Sequence, residues 1–216
     1  MKKRIQNNEY YFSVEGETEI WYLKHIQMII HRQEERKVNP IIIVKKASPM
    51  KFLKTFSSLS KNTITAVYDV EESVGGHNVQ FESVLKEMSD AEKTGKSIKY
   101  ELGYSNIDFE LWIILHKKKF FKTITNKADY LGEINNAYST SFKHLNEYKA
   151  ERNFKSILEQ ITLDDIKNAI SRAENIETLR KIDSTQKNLY GYKWFSKNPS
   201  LSLHGTIKKI INDCGV

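Results

Sequence analysis

Tyr10-Tyr11-Phe12-Ser13-Val14 runs without a break into Glu15-Gly16-Glu17-Thr18-Glu19, and this passage decides how the chain is read. Aromatic and β-branched residues in a run of this length predict a buried strand. Beyond Gly16 the pattern changes, and Ile20, Leu23, Ile26, Ile29 and Ile30 recur at helical spacing up to about Glu34. A buried strand turning directly into a helix is the opening of a βαβ unit.

The alternation continues outward. Pro40-Ile41-Ile42-Ile43-Val44 is a second continuous β-branched run, as expected of a strand covered on both faces. Ser48 and Pro49 open a helix expected over Pro49 to Leu59, with Met50, Leu53, Phe56 and Leu59 on one face. Thr63-Ile64-Thr65-Ala66-Val67-Tyr68 predicts a third strand, which runs into Asp69-Val70-Glu71-Glu72. A helix from Asn78 to about Lys93 and an alternating, more exposed strand over Ser97 to Leu102 follow. This order predicts an α/β fold with a mostly parallel sheet flanked by helices. After residue 105 the pattern is helical, with helices expected over Phe109 to His116, Lys127 to Ala137, Ser141 to Arg152, Asp164 to Lys181 and Ser202 to Asn212. The chain therefore reads as an α/β domain over 1–105 and a helical region over 106–216 packed on it.

Composition narrows the function. With 9 Gly and 3 Pro in 216 residues there is little room for long linkers. No apolar stretch approaches the roughly 20 residues of a membrane span, so no membrane partner is expected. Cys214 is the single cysteine, which excludes a disulfide scaffold and a cysteine-based zinc site. The basic start has no apolar segment behind it, and a cytoplasmic protein is expected. The 34 Lys and Arg against 27 Asp and Glu give +7, which points to a polyanionic partner. No Walker loop, dinucleotide fingerprint, nucleophile elbow or H-E-x-x-H is present, which disfavours the chemistries those motifs carry.

The acidic residues after the first and third strands carry the chemical reading. In open parallel sheets ligands sit in the crevice beyond the carboxyl ends of the strands. Glu15, Asp69 and Glu71 converging there would repel one another unless a cation lay between them, and hard oxygen ligands suit Mg²⁺ or Mn²⁺. Glu17 and Glu19 need no function, since acids in a first helical turn complement the macrodipole. His116 is either a proton donor or phosphate contact at this site, or a satisfied histidine at a helix end. Lys117, Lys118 and Lys119 open a segment, 117–155, with nine basic residues against four acidic ones. They form either a phosphate-tracking surface or ordinary helix-terminal cations. Tyr130, Tyr138, Phe142 and Tyr148 interleave with that charge and either stack unpaired bases or belong to the core. Asn198-Pro199-Ser200, with His204 beyond it, is a turn opening the last helix or a segment returning to the site.

Four blocks, taken together, resemble the RloB-like (AbiLii-type) family. They are Val14-Glu15-Gly16-Glu17-Thr18-Glu19, Tyr68-Asp69-Val70-Glu71, Ser105-Asn106 through Phe109-Glu110-Leu111-Trp112 to Leu115-His116, and Asn198-Pro199-Ser200 with His204. The resemblance spans nearly the whole chain. It implies a Toprim-like N-terminal domain and a Mg²⁺- or Mn²⁺-dependent nuclease of bacterial anti-phage (abortive infection) defence. The substrate implied is RNA, tRNA included, or DNA. The partner implied is nucleic acid, together with a phage trigger or defence-system protein. By that resemblance Glu15 acts as general acid or base or as a metal ligand, and Asp69 and Glu71 match a metal-binding D-x-D pair. Glu71 replaces the second aspartate, and Ser105-Asn106-Ile107 stands where Ser-Asn-Pro is usual. The catalytic set expected is thus Glu15, Asp69, Glu71 and His116. Lys117, Lys118, Lys119, Asn198, Ser200 and His204 are the expected nucleic-acid contacts. The alternatives are a non-catalytic nucleic-acid-binding sensor or adaptor, and a module that binds a signalling nucleotide.

Overall fold

Four parallel strands carry the fold, and the order in which they pair places its crevice. They are β1 (Gln6–Val14), β2 (Val38–Lys46), β3 (Asn62–Val70) and β4 (Ile98–Asn106), arranged β2-β1-β3-β4. A computed structural model describes residues 5–56, 60–70 and 78–216. From β1 the chain crosses through α1 (Glu17–His31) to β2 on one side. It then returns through α2 (Pro49–Lys54) to β3 on the other side of β1, and α3 (Val79–Glu92) leads on to β4. The carboxyl ends of β1 and β3 therefore flank the point where strand order reverses, the place where such sheets hold ligands.

Alternation along the strands builds two cores. Ile64, Ala66, Tyr68 and Val70 of β3 pack with Tyr11, Phe52, Phe81, Met88, Tyr100 and Tyr104 on the α2 and α3 side. Phe12, Val14 and Val67 face the opposite side, where α1 and most of the second half of the chain cover them. That half comprises α4 (Glu110–Lys117), α5 (Asp129–Tyr138), α6 (Leu145–Tyr148), α7 (Glu151–Glu159), α8 (Leu163–Ile182), the hairpin β5 (Gln186–Leu189) with β6 (Tyr192–Phe195), and α9 (Leu203–Cys214). Residues Leu111 to Leu115 of α4 are all 0% exposed, so this short helix is the hub of the second core. No helix among the described residues is long and apolar enough to cross a membrane.

Several boundaries differ from the sequence expectation. The expected fourth strand, ending at Leu102, extends to Asn106 because its pairing with β3 continues to Val70. The single helix expected over Ser141 to Arg152 is two, α6 and α7, with extended backbone at Ala150 between them. Asn153 Nδ2 caps the first by donating to Glu147 O at 2.8 Å. The hairpin was not expected at all. Its two-residue turn, Tyr190-Gly191, has φ of 52° and 90°, the paired positive values of a type I′ connection.

The Asn198-Pro199-Ser200 block returns to the sheet, but as structure. Ser200 O accepts from Asn106 N and Ser202 N donates to Tyr104 O, both at 2.9 Å, so the segment pairs antiparallel to β4 at Leu201 and covers its open edge. Asn198 Nδ2 donates to Ile124 O, and His204 Nε2 contacts Glu177 Oε2 at 3.2 Å. Ser200 and His204 are 1% and 5% exposed. The expected nucleic-acid role is therefore corrected: Ser200 holds the second half of the chain on β4, while Asn198 and His204 bond within that half, to Ile124 and Glu177.

Tyr104 is the pivot of that seam, its hydroxyl accepting from Phe195 N at 2.9 Å and bonding Ser200 Oγ. A Tyr104→Phe variant leaves a buried N–H unpaired and is expected to lose about 1–3 kcal/mol in denaturant unfolding. An unchanged midpoint would show that the seam contributes nothing.

Candidate functional site

Five carboxylates meet at the switch point. Glu15 lies in the turn after β1, and its Oε2 sits 3.4 Å from Asp69 N at the end of β3. Its other oxygen, Oε1, is 3.4 Å from Gln80 Nε2. Glu19, one turn into α1, folds back toward the same turn and is 4% exposed. Gly16 makes this fit, because a Cβ there would stand 2.8 Å from Glu19 Oε2. Thr18 Oγ1 donates to that same oxygen at 2.9 Å. Asp108 and Glu110, 2% and 0% exposed, enter from the β4–α4 junction.

That junction is strained. Ile107 has φ of 70°, the left-handed region that a β-branched residue adopts only when its surroundings impose it. Ile107 N donates to Val70 O at 2.9 Å, which ties the turn to the end of β3 and sends Asp108 inward. Proline could not adopt this φ, so isoleucine at this position is compatible with a turn that Ser-Asn-Pro is not. Arg172 holds the far end of α4 by donating to Leu115 O and His116 O at 2.6 and 2.9 Å.

Lys149 sits among these acids, and the charge of Lys127 also acts on Asp108. Lys149, at the end of α6, places Nζ 3.1 and 3.0 Å from the two oxygens of Asp108 and 3.2 Å from Glu110 Oε1. The break between α6 and α7 is what aims it. Burial would lower the Lys149 pKa, but the charges of Glu110 and Asp108 outweigh it and raise the value. Asp108 is held below the carboxylate range; burial would raise it, but Glu110 and Lys149 prevail. Asp69 is pushed well up by burial and by repulsion from Asp108, Glu19, Glu110 and Glu15. Burial and the Asp108 charge push Glu110 up as well, and burial raises Glu19.

Oxygen atoms dominate the surroundings. Ser105 Oγ and Asn106 Oδ1 are buried without a hydrogen-bond partner, and Glu110 Oε1 has the Lys149 ion pair. Ser105 is level with Asp69 across the β3–β4 pairing. A small cavity of about 10 Å³, room for one water or ion, lies between Glu15, Asp69, Asn78 and Gln80. Among the described residues no three His, Cys, Asp or Glu side chains are gathered closely enough to hold one ion.

The structure brings Glu15 and Asp69 together as the sequence predicts. Glu71 lies outside the described residues. His116 is corrected. It is 1% exposed, with Nε2 on the Tyr22 hydroxyl at 3.0 Å and Nδ1 on Trp112 O at 2.9 Å. Burial lowers its pKa to about 4, so it is a neutral core side chain and no proton donor. Lys117 is engaged by Asp165 and Gln160 O, and Lys118 by Glu133, while Lys119 is exposed. Tyr130, Tyr138 and Tyr148 are core, and Phe142 packs on Tyr148. Sequence reasoning missed Glu19, Asp108, Glu110 and Lys149. One signal was available, since Asp108-Phe109-Glu110 repeats at the fourth strand the D-x-E that follows the third.

The RloB-like protein family model matches residues 10–210, and the chain belongs to that family. No curated protein and no solved structure matches the chain.

Asp69 gives a stability prediction. Its folded-state pKa is raised, so the protonated form supports folding at low pH and that support is lost as pH rises through the folded value. Asp69→Asn keeps a neutral group at every pH. It is expected to be more stable than wild type at neutral pH by on the order of 1 kcal/mol, about 2–4 °C in Tm, with the gap closing in acid. A variant less stable at pH 8 than wild type would contradict the repulsion.

Proposed function

We propose that this chain is a Mg²⁺- or Mn²⁺-dependent phosphodiesterase with a Toprim-like N-terminal half, cutting RNA (tRNA included) or DNA in anti-phage defence. The observation that carries this reading is the convergence of Glu15, Glu19, Asp69, Asp108 and Glu110 at the switch point of a parallel sheet. Membership of the RloB-like family is consistent with a defence role. An all-oxygen donor set with unpartnered oxygens at its edge fits a hard divalent cation. Glu15, Glu19 and Asp69 are the carboxylates that would hold an ion. Among the described residues no three stand close enough to share one, so loading would draw them together, and Lys149 already engages Asp108 and Glu110. Bound there, the metal would supply charge stabilisation for a phosphodiester and lower the pKa of a coordinated water.

The chain's own residues set the conditions for that chemistry. Glu15 stands at the mouth of the crevice, placed to hold a proton at the attacking or leaving oxygen. Burial and mutual repulsion raise the pKa values of Asp69, Glu19 and Glu110, so an entering metal would compete with protons. Lys149 neutralises Asp108 and Glu110 from the helical side. That ion pair favours a second reading, in which the acids serve folding and the protein is a non-catalytic nucleic-acid sensor or adaptor.

Two measurements separate the readings. With Mn²⁺ the purified protein is expected to cleave RNA or DNA, and Glu15→Gln or Asp69→Asn to lose at least about 100-fold in rate. Variants that cut as well as wild type would remove the metal mechanism, and chelator-insensitive binding without cleavage would favour the adaptor. Calorimetry of Mn²⁺ binding at neutral pH, repeated in buffers of different ionisation enthalpy, is expected to show proton release, with affinity rising as pH rises. Binding without proton exchange would place the ion elsewhere.

A further inference from the structure

The +7 charge needs a face, and the helical half supplies less of it than its sequence promises. Lys117 and Lys118 are engaged by Asp165 and Glu133, and Lys122 also reaches Glu133 at 3.7 Å. On the other side of the crevice the situation is reversed. A cleft of about 700 Å³ opens beyond the ends of β1, β2 and β3, within the span of small-molecule sites. Tyr68, Val79 and Val84 line its apolar side, and Glu15, Lys46 and Lys51 line the remainder.

Each part of the cleft matches one part of a nucleotide. The Tyr68 ring is fixed, its hydroxyl donating to Ala47 O at 2.9 Å and lying 3.1 Å from Ser13 Oγ, so the apolar side is rigid there. Lys46 holds Glu17 at 3.7 Å, with both side chains more than half exposed at 56% and 52%. Such a pair is worth little and is readily exchanged for a phosphate. Lys51 is exposed on α2. Glu15, Tyr68, Gln80 and Val84 also line the small cavity that reaches Asp69, so the cleft and the carboxylate site share a wall.

We infer that this cleft seats one unpaired nucleotide of a single-stranded nucleic acid, its base on Tyr68, Val79 and Val84 and its phosphate on Lys46 and Lys51. The adjoining phosphodiester then lies at Glu15. An apolar side can be met only by a base that has left its neighbours, because a base inside a duplex has both faces stacked. The substrate class is therefore an unpaired segment, a loop, end or single strand. This inference rests on the phosphodiesterase reading for its meaning, but it concerns binding and can fail separately.

Anisotropy of a short labelled oligonucleotide, with the full chain in chelator so that nothing is cut, tests it. Single strands are expected to bind at least about 10-fold tighter than the same sequence in a duplex, and tighter than a strand lacking bases. Lys46→Ala/Lys51→Ala is expected to weaken single-strand binding at least about 10-fold and to reduce the salt slope by about 1.4, two contacts at about 0.7 each. Lys155→Ala/Lys208→Ala serves as the unaffected control. Ribose and deoxyribose versions of the strand separate RNA from DNA. Equal binding of duplex, equal binding of the abasic strand, an unaffected Lys46/Lys51 variant, or no binding by wild type would each overturn the cleft. Should the binding pattern hold while Mn²⁺ produces no cleavage, the phosphodiesterase reading fails and the nucleotide cleft stands. Cleavage at wild-type rate by the Lys46/Lys51 variant below saturation would instead overturn the cleft and leave the phosphodiesterase standing.

Discussion

Carboxylates taken out of water beside one another are costly to a fold, and much of this structure is arranged around that cost. Glu19, Asp108 and Glu110 are all nearly inaccessible, and Asp69 and Glu15 complete the cluster at its open side. Lys149 offsets the charge of two members. Burial, together with the repulsion that remains, raises the pKa values of Asp69, Glu19 and Glu110. Such a group persists only where its neighbours over-determine it. Here α4 is buried along its length, Arg172 holds its last carbonyls, and the left-handed Ile107 is tied to Val70. Stability given up in this way at one place is a familiar mark of a functional site.

The helical half is thus part of the site. Its α6 delivers Lys149, its α8 delivers Arg172, and its C-terminal segment closes the edge of β4 through Ser200, Leu201 and Ser202. In the basic sequence segment that suggests nucleic-acid contact, Lys117, Lys118 and Lys122 are engaged by ion pairs with Asp165 and Glu133. The cations that face the crevice come instead from the α/β half, on β2 and α2. Charge counted along a sequence does not say which charges are already matched.

Much of the α/β half was legible in the sequence, because its signals are local. Runs such as Tyr10 to Val14 and Ile41 to Val44 announce strands, and the periodic isoleucines after Gly16 announce a helix. The hairpin was not legible, since Tyr190-Gly191 lacks the usual Asn-Gly signature and its strands are four residues each. His116 and the tyrosines 130, 138 and 148 were open to two readings, and burial decided for the core.

Of the site, the sequence by itself determined that Glu15 and Asp69 end two strands, and parallel pairing then makes those ends neighbours. Only the tertiary structure decided that Glu19 turns inward over Gly16 and that Asp108, Glu110 and Lys149 join from distant segments. The reason is physical. Periodicity is written within a few residues, whereas an electrostatic cluster depends on which chain segments the strand order and helix packing bring within a few ångströms of one another.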